Sequence, residues 1–310
     1  MSGCDGLLIA GFGGPQAGCC GRRTDCSRGP GCEAPCFVGG ILNDDPAQAG
    51  RVAEVVSHYR HFGGFSPYNR LAAAQADALR AELARRGRRI QVELGFRHWT
   101  PWISQACERL AACDRVAGLV LAPHAAARST DLYRSAAPRS DIRWAGSFHD
   151  HPGLAAAVAA RLHQATLGWS PERYARAGLL FTAHAIPQPA ERASGYRAVV
   201  ETSARLAAAA MGRSVHHIAY QSAPAASRVP WSEPTIAAAL AALRAEGCED
   251  VLLQPIGFLV DHMEVLFDLD VEAQLEAARL GLRLTRAATV GDHPAFIAAL
   301  ADAVEAALGG

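Results

Sequence analysis

Short apolar runs alternate along the chain with longer stretches in which alanine and leucine recur every three or four residues. The runs at 6–11, 90–95, 117–122, 177–183, 217–221 and 251–257 show little polar alternation, as strands covered on both faces should. Stretches 72–86, 103–113, 154–165, 196–211, 236–246 and 294–308 carry helical spacing. Strand alternating with helix predicts an α/β fold built on parallel sheets. The two halves also read alike: Asp5-Gly-Leu-Leu-Ile-Ala-Gly-Phe-Gly-Gly-Pro15 parallels Ala177-Gly-Leu-Leu-Phe-Thr-Ala-His-Ala-Ile-Pro187. Two similar α/β domains are therefore expected, at 1–145 and 146–291, with a terminal helix over 292–310 able to pack back on the first. Ligands of open parallel sheets settle beyond the carboxyl ends of the strands. The unusual residues sit there: Gly13-Gly14-Pro15, Arg97-His98-Trp99, Pro123-His124, His184, Gln221-Ser222 and Asp261-His262.

Composition narrows the chemistry. Half of the 310 residues are apolar and 19% are charged, a globular balance, and the formal net charge is zero. A nucleic-acid binder relying on an overall positive field is excluded, and no nucleic-acid partner is expected. All 30 basic residues are arginine. Without lysine there is no Schiff-base amine and no P-loop lysine, whereas arginine pairs bidentately with carboxylates. No stretch approaches the roughly 20 apolar residues of a membrane span, and no leader is apparent, so the cytoplasm is the expected compartment. There the nine cysteines read as thiols or metal ligands rather than disulfides.

The segment 255–272 carries the strongest chemical signal. Glu264, Asp268 and Glu272 recur at every fourth position, which stacks three carboxylates along one helix face. Charges at helical spacing usually mark a solvated face. Here Val265, Leu266, Phe267 and Leu269 predict a partly buried helix, so the row needs cations, protons or water, and a divalent ion such as Fe²⁺ would be drawn to it. His184 directly follows an apolar strand, where a base or a metal ligand would stand. A third feature is the glycine- and proline-rich stretch holding Cys19, Cys20, Cys26, Cys32 and Cys36. Its spacing matches no standard zinc or cluster motif. A [2Fe–2S] cluster, zinc and a loop of reduced thiols all stay open.

Taken together, the motifs resemble the ferrochelatase family in sequence order. They are Phe12-Gly-Gly-Pro15, His61-Phe-Gly-Gly-Phe-Ser-Pro67, Gly95-Phe-Arg-His98, Leu121-Ala-Pro-His124 with Ser129 and Tyr133, Phe181-Thr-Ala-His184, Tyr220-Gln-Ser222 with Trp231, and 255–272. The resemblance implies two Rossmann-like, chelatase-type domains whose parallel sheets face a central porphyrin cleft. It also implies a lyase inserting ferrous iron, as substrate, into a porphyrin for haem. His184 and Glu264 match the family's active-site pair, in metal handling and in catalysis. His184 is read as the acceptor of pyrrole protons, Glu264 as its assistant, with Asp268 and Glu272 guiding metal ions or protons; the reverse split of duties stays open.

Porphyrin contacts are expected from Phe12, Tyr59, Gly63, Ser66, Arg97, Ser129 and Tyr133. Phe62, Tyr68 and Trp99 are further wall candidates, and Arg22, Arg23 and Arg28 further propionate partners. By resemblance to short bacterial members, the enzyme is expected to be a soluble monomer using coproporphyrin III in preference to protoporphyrin IX. Two departures stand out. The cysteine-rich stretch replaces an ordinary helix, and Ala223-Pro-Ala-Ala-Ser-Arg228 follows Ser222 where the family continues with arginine and glycine. The competing readings are a cobalt or sirohydrochlorin chelatase and a non-catalytic porphyrin- or haem-binding protein.

Overall fold

A computed structural model describes residues 4–22, 29, 31–124, 127–224 and 227–309, with the side chains of 127–129 left aside. Eight strands are present among the described residues: β1 (Asp5–Gly11), β2 (Ile90–Phe96), β3 (Arg115–Val120), β4 (Arg143–Trp144), β5 (Gly178–His184), β6 (His217–Gln221), β7 (Asp250–Gln254) and β8 (Arg283–Arg286). They form two parallel sheets of the same order, β2-β1-β3-β4 and β6-β5-β7-β8. The α/β class and the duplication are thus both present. β4 and β8 were not expected. Both are short and lie at sheet edges, and their mixed polarity hides them from a search for buried apolar runs.

The chain divides into two compact units. The first comprises Met1–Leu121, Asp131–Gly146 and Val304–Gly310; the second comprises Ala122–Thr130 and Ser147–Ala303. In each sheet the chain builds outward on one side of the first strand and then returns to the other. The order therefore reverses between β1 and β3, and again between β5 and β7. Helices leaving such a switch point diverge to opposite faces and open a crevice at the strands' carboxyl ends. β1 and β5 are buried almost end to end, which explains their unbroken apolar sequence.

Helix boundaries shift from the sequence expectation where local chemistry intervenes. The helix expected at 72–86 begins earlier and runs Tyr68–Arg85, and the one expected at 103–113 ends at Arg109. The cysteine-rich stretch is not loop throughout. Cys32 caps a helix, Glu33–Ile41, that carries Cys36 on a buried position, and a second helix covers Ala49–His61. β7 stops at Gln254, because Pro255 lacks the amide a continuing ladder would need.

The turn after β7 sets the second unit's geometry. The Gly257 amide donates to the Thr182 carbonyl (2.9 Å), and a Cβ at Gly257 would stand 2.7 Å from the Ala183 Cα. Only glycine lets this turn lie against β5 one residue before His184. His262 then caps the following helix, its Nδ1 accepting from the Glu264 amide at 3.2 Å. Val265, Leu269, Ala273 and Ala277 form the buried seam of that helix. Each acidic residue of the row directly precedes a seam residue and so lies at the seam's edge.

The helix is not uniform. Asp268–Glu272 forms a π turn between the α-helical segments Met263–Phe267 and Ala273–Arg279. Four residues overshoot one α turn of 3.6 residues and fall short of the wider π turn. The two drifts have opposite sign, so the π turn offsets the rotation that an unbroken α-helix would give the acid row.

Candidate active site

His184 ends β5 at the switch point of the second sheet. Its Nδ1 donates to the Ala185 carbonyl, so that the neutral form of the ring carries its lone pair on Nε2. Nε2 stands 3.6 Å from a Glu264 carboxylate oxygen. The Tyr196 hydroxyl donates to the His184 carbonyl at 3.0 Å and pins the backbone that carries the ring. Sequence reasoning passed over Tyr196, which sits on an ordinary alanine-rich helix. Both His184 and Glu264 keep over a third of their side chains exposed. A positive charge on His184 would interact with Glu264 by about 1 kcal/mol in water and about 4 kcal/mol at an effective dielectric of about 20, and this exposure favours the lower figure.

Asp268 lies one turn further along. The Gln221 side-chain amide donates to it at 3.3 Å and to the Glu264 carbonyl at 2.8 Å, and the Ser222 hydroxyl donates to the same carboxylate oxygen. Ser222 holds a left-handed backbone, φ 65°, which turns its side chain back from the end of β6. Loss of solvation, then the neighbouring Glu264 and Glu272 charges, push the Asp268 carboxyl up to about 7 despite these donors. Glu272 is exposed at the far end. The row thus runs from the half-exposed Glu264 beside the histidine, through the desolvated Asp268, to the exposed Glu272, and among the described residues no three His, Cys, Asp or Glu side chains group as a single metal site.

On the helix's other side Arg286 bridges Asp270 (2.5 Å) and Asp261 (3.3 Å), and Thr289 donates to Asp261 at 3.0 Å. This clamp fixes both ends of the 261–270 segment. The buried His124 bonds through Nε2 to the Ser203 hydroxyl (3.0 Å), which reaches the His149 carbonyl (2.7 Å). Burial pulls its ring down to about 3, so it is neutral.

In the first unit, Phe12 follows β1 and packs on His98 (4.6 Å) and edge-on to Phe37 (6.1 Å). Tyr59 is buried against Phe37, and Trp99 and Tyr68 belong to the core, Tyr68 receiving the Phe12 amide at 2.9 Å. Burial, with Arg97 and Arg22 nearby, pulls His98 down to about 4. Ser66 accepts from the Tyr68 amide (3.2 Å) while its own amide donates to the Pro15 carbonyl (2.8 Å). Gly63 and Gly64, with Glu33, Val56, Arg60 and Phe65, line a hollow; Phe62 neighbours it and meets His61 edge-on (4.8 Å). The Arg97 guanidinium lies 6.0 Å from the ring centre of the buried Tyr133. Arg22 is committed to the Cys36 carbonyl and Asp44. Ser129 falls on the helix Ala127–Ser135 with its side chain outside the description, and Arg23, Arg28 and Cys26 lie outside the described residues.

The described cysteines of the first loop do not assemble. Cys20 and Cys36 are buried and share a side-chain hydrogen bond, Cys32 is half-buried and Cys19 is exposed. A zinc or iron–sulfur site asks for about four convergent ligands; the described residues present a pair.

Comparison with known proteins identifies the family. A family model described as ferrochelatase matches residues 36–308. The coproporphyrin III ferrochelatase of Propionibacterium freudenreichii subsp. freudenreichii is 36% identical, over 99% of this chain and 88% of that protein. That of Nocardia farcinica is 33% identical, over 94% and 85%. A ferrochelatase of Thermus thermophilus is 39% identical, over 70% of this chain and 71% of its own. Among solved structures, SirB from Bacillus subtilis with Fe³⁺ aligns over 99% of this chain and 96% of its own, with a TM-score of 0.57 at 14% identity. At that identity the likeness speaks for the fold.

Proposed function

This chain belongs to the ferrochelatase family and is a metal chelatase of haem biosynthesis, and on that footing we propose that it inserts Fe²⁺ into coproporphyrin III with His184 taking the pyrrole protons. The observation that carries the proposal is the placement of His184, whose Nδ1 is committed to the Ala185 carbonyl while Nε2 stands 3.6 Å from Glu264. Insertion exchanges two pyrrole protons for one divalent cation. A base is needed at the ring and a conduit for charge beyond it.

His184 is the base. As Nε2 gains a proton the imidazole becomes cationic, and the Glu264 carboxylate stabilises that charge and receives the proton in turn. Asp268, held near 7, passes the proton onward at neutral pH, and Glu272 releases it to water. The same carboxylates attract ferrous iron, and inward movement of positive charge is balanced by protons leaving along the row. The preference for coproporphyrin III rests on the curated relatives that carry that name. Phe12, Tyr59, Gly63, Ser66, Arg97, Ser129 and Tyr133 are proposed to hold the macrocycle, with porphyrin and ferrous iron the partners of a cytoplasmic monomer, a state read by sedimentation against the 32.7 kDa chain mass.

His184→Ala tests the chemical step. Turnover is expected to fall at least 100-fold, with porphyrin binding, followed by fluorescence quenching, retained within a few-fold. A variant within threefold of wild-type turnover would remove His184 from the mechanism.

A further inference from the structure

We propose that Cys4 and Cys113 form a dithiol modification site that closes to a disulfide on meeting a small-molecule disulfide. Their Sγ atoms stand 2.9 Å apart, so roughly 1 Å of approach completes an S–S bond. The backbone holds them in place. The Cys4 amide donates to the Asp114 carboxylate (3.2 Å) and the Asp114 amide donates back to the Cys4 carbonyl (2.9 Å). Next along, Asp5 lies in register with Arg115 and accepts two hydrogen bonds of 2.8 Å from its guanidinium. Gly6 makes room: a Cβ there would sit 3.2 Å from the Cys113 Sγ.

The two thiols differ in access, which sets the order of events. Cys4 is exposed and Cys113 is buried, where lost solvation and the adjacent Cys4 push its thiol up to about 12. Cys4 reacts first. Its thiolate attacks one sulfur of the disulfide RSSR, forming a mixed disulfide, breaking the R–S–S–R bond and releasing RS⁻, which takes the proton Cys4 gave up. The Cys113 sulfur then attacks the Cys4 Sγ and expels the second RS group, which carries away the Cys113 proton. Two thiols and RSSR become one protein disulfide and two RSH. Proximity offsets the weak acidity of Cys113.

The bond joins the entry to β1 with the entry to β3, at the amino ends of these strands. Phe12 and the other site residues of this sheet lie at the carboxyl ends. Oxidation is therefore expected to stabilise the protein and leave turnover unchanged.

The test treats the purified full chain with oxidised glutathione, alkylates free thiols and digests without reduction. Cleavage after arginine and before aspartate isolates Met-Ser-Gly-Cys4 and Leu110-Ala-Ala-Cys113, because Asp5 and Asp114 follow the two cysteines and Arg109 precedes Leu110. The expected product is the linked pair of tetrapeptides, with a rise in Tm of about 5 °C or more that dithiothreitol reverses and that Cys4→Ser abolishes. Complete alkylation of both cysteines after oxidation, a link without a rise in Tm, or an equal rise in Cys4→Ser overturns the proposal.

Discussion

At the residue scale, Asp268 makes the most specific claim. Its carboxyl sits near 7 because it has lost solvation and faces Glu264 and Glu272. Between an ordinary aspartate pKa and about 7 the folded protein therefore binds more protons than the unfolded chain, and stability falls as pH rises through that window. Asp268→Asn mimics the protonated form and keeps an acceptor for Ser222. Its melting temperature should exceed wild type at pH 8, on the order of 2 kcal/mol of added stability, and the gap should close toward pH 4. Thermal melts across that range check it; a gap independent of pH would show that the carboxyl is not held near 7. The sequence pointed to His184, Glu264, Asp268 and Glu272 by residue type and spacing. It did not show that Gln221 and Ser222 grip Asp268, or that Tyr196 anchors His184. Those contacts join residues 47, 46 and 12 positions apart, and no periodicity encodes them.

At the scale of the element, the 263–279 helix couples packing to chemistry. Every seam residue that the core holds fixes the acidic residue just before it. Leu269, fully buried behind Asp268, is the central example. Leu269→Ala should cost about 3 kcal/mol from lost burial and the cavity left behind, measured by urea unfolding. A cost under about 1 kcal/mol would mean the seam can collapse and does not set the row. The acid periodicity was legible as a helix, but the π turn was not. Within it Asp270 is gripped by Arg286, which also holds Asp261, across 16 and 25 residues, tertiary contacts that propensity does not carry. Likewise Cys36 reads as loop, since glycine and proline dominate its surroundings, yet burial of Phe37 and Val38 draws it into a helix.

For the whole molecule, two sheets of identical strand order each place their chemistry beyond the carboxyl ends of the strands. The repeated motif after β1 and β5 announced this in sequence, because the buried first strand of each sheet tolerates little besides small and branched apolar residues. What the repeat leaves unequal is the function. Phe12 and its aromatic neighbours follow the first strand, and the histidine ends its counterpart. The edge strands β4 and β8 escaped notice because partial exposure frees their composition.

The central claim is iron insertion into a porphyrin. The direct measurement is the anaerobic initial rate with purified protein and Fe²⁺, offered coproporphyrin III, protoporphyrin IX or, with Co²⁺, sirohydrochlorin. Ferrous insertion into coproporphyrin III, at a kcat/KM at least tenfold above that for protoporphyrin IX, is the predicted result. Failure to insert iron into either porphyrin would contradict it, most sharply if cobalt entered sirohydrochlorin instead.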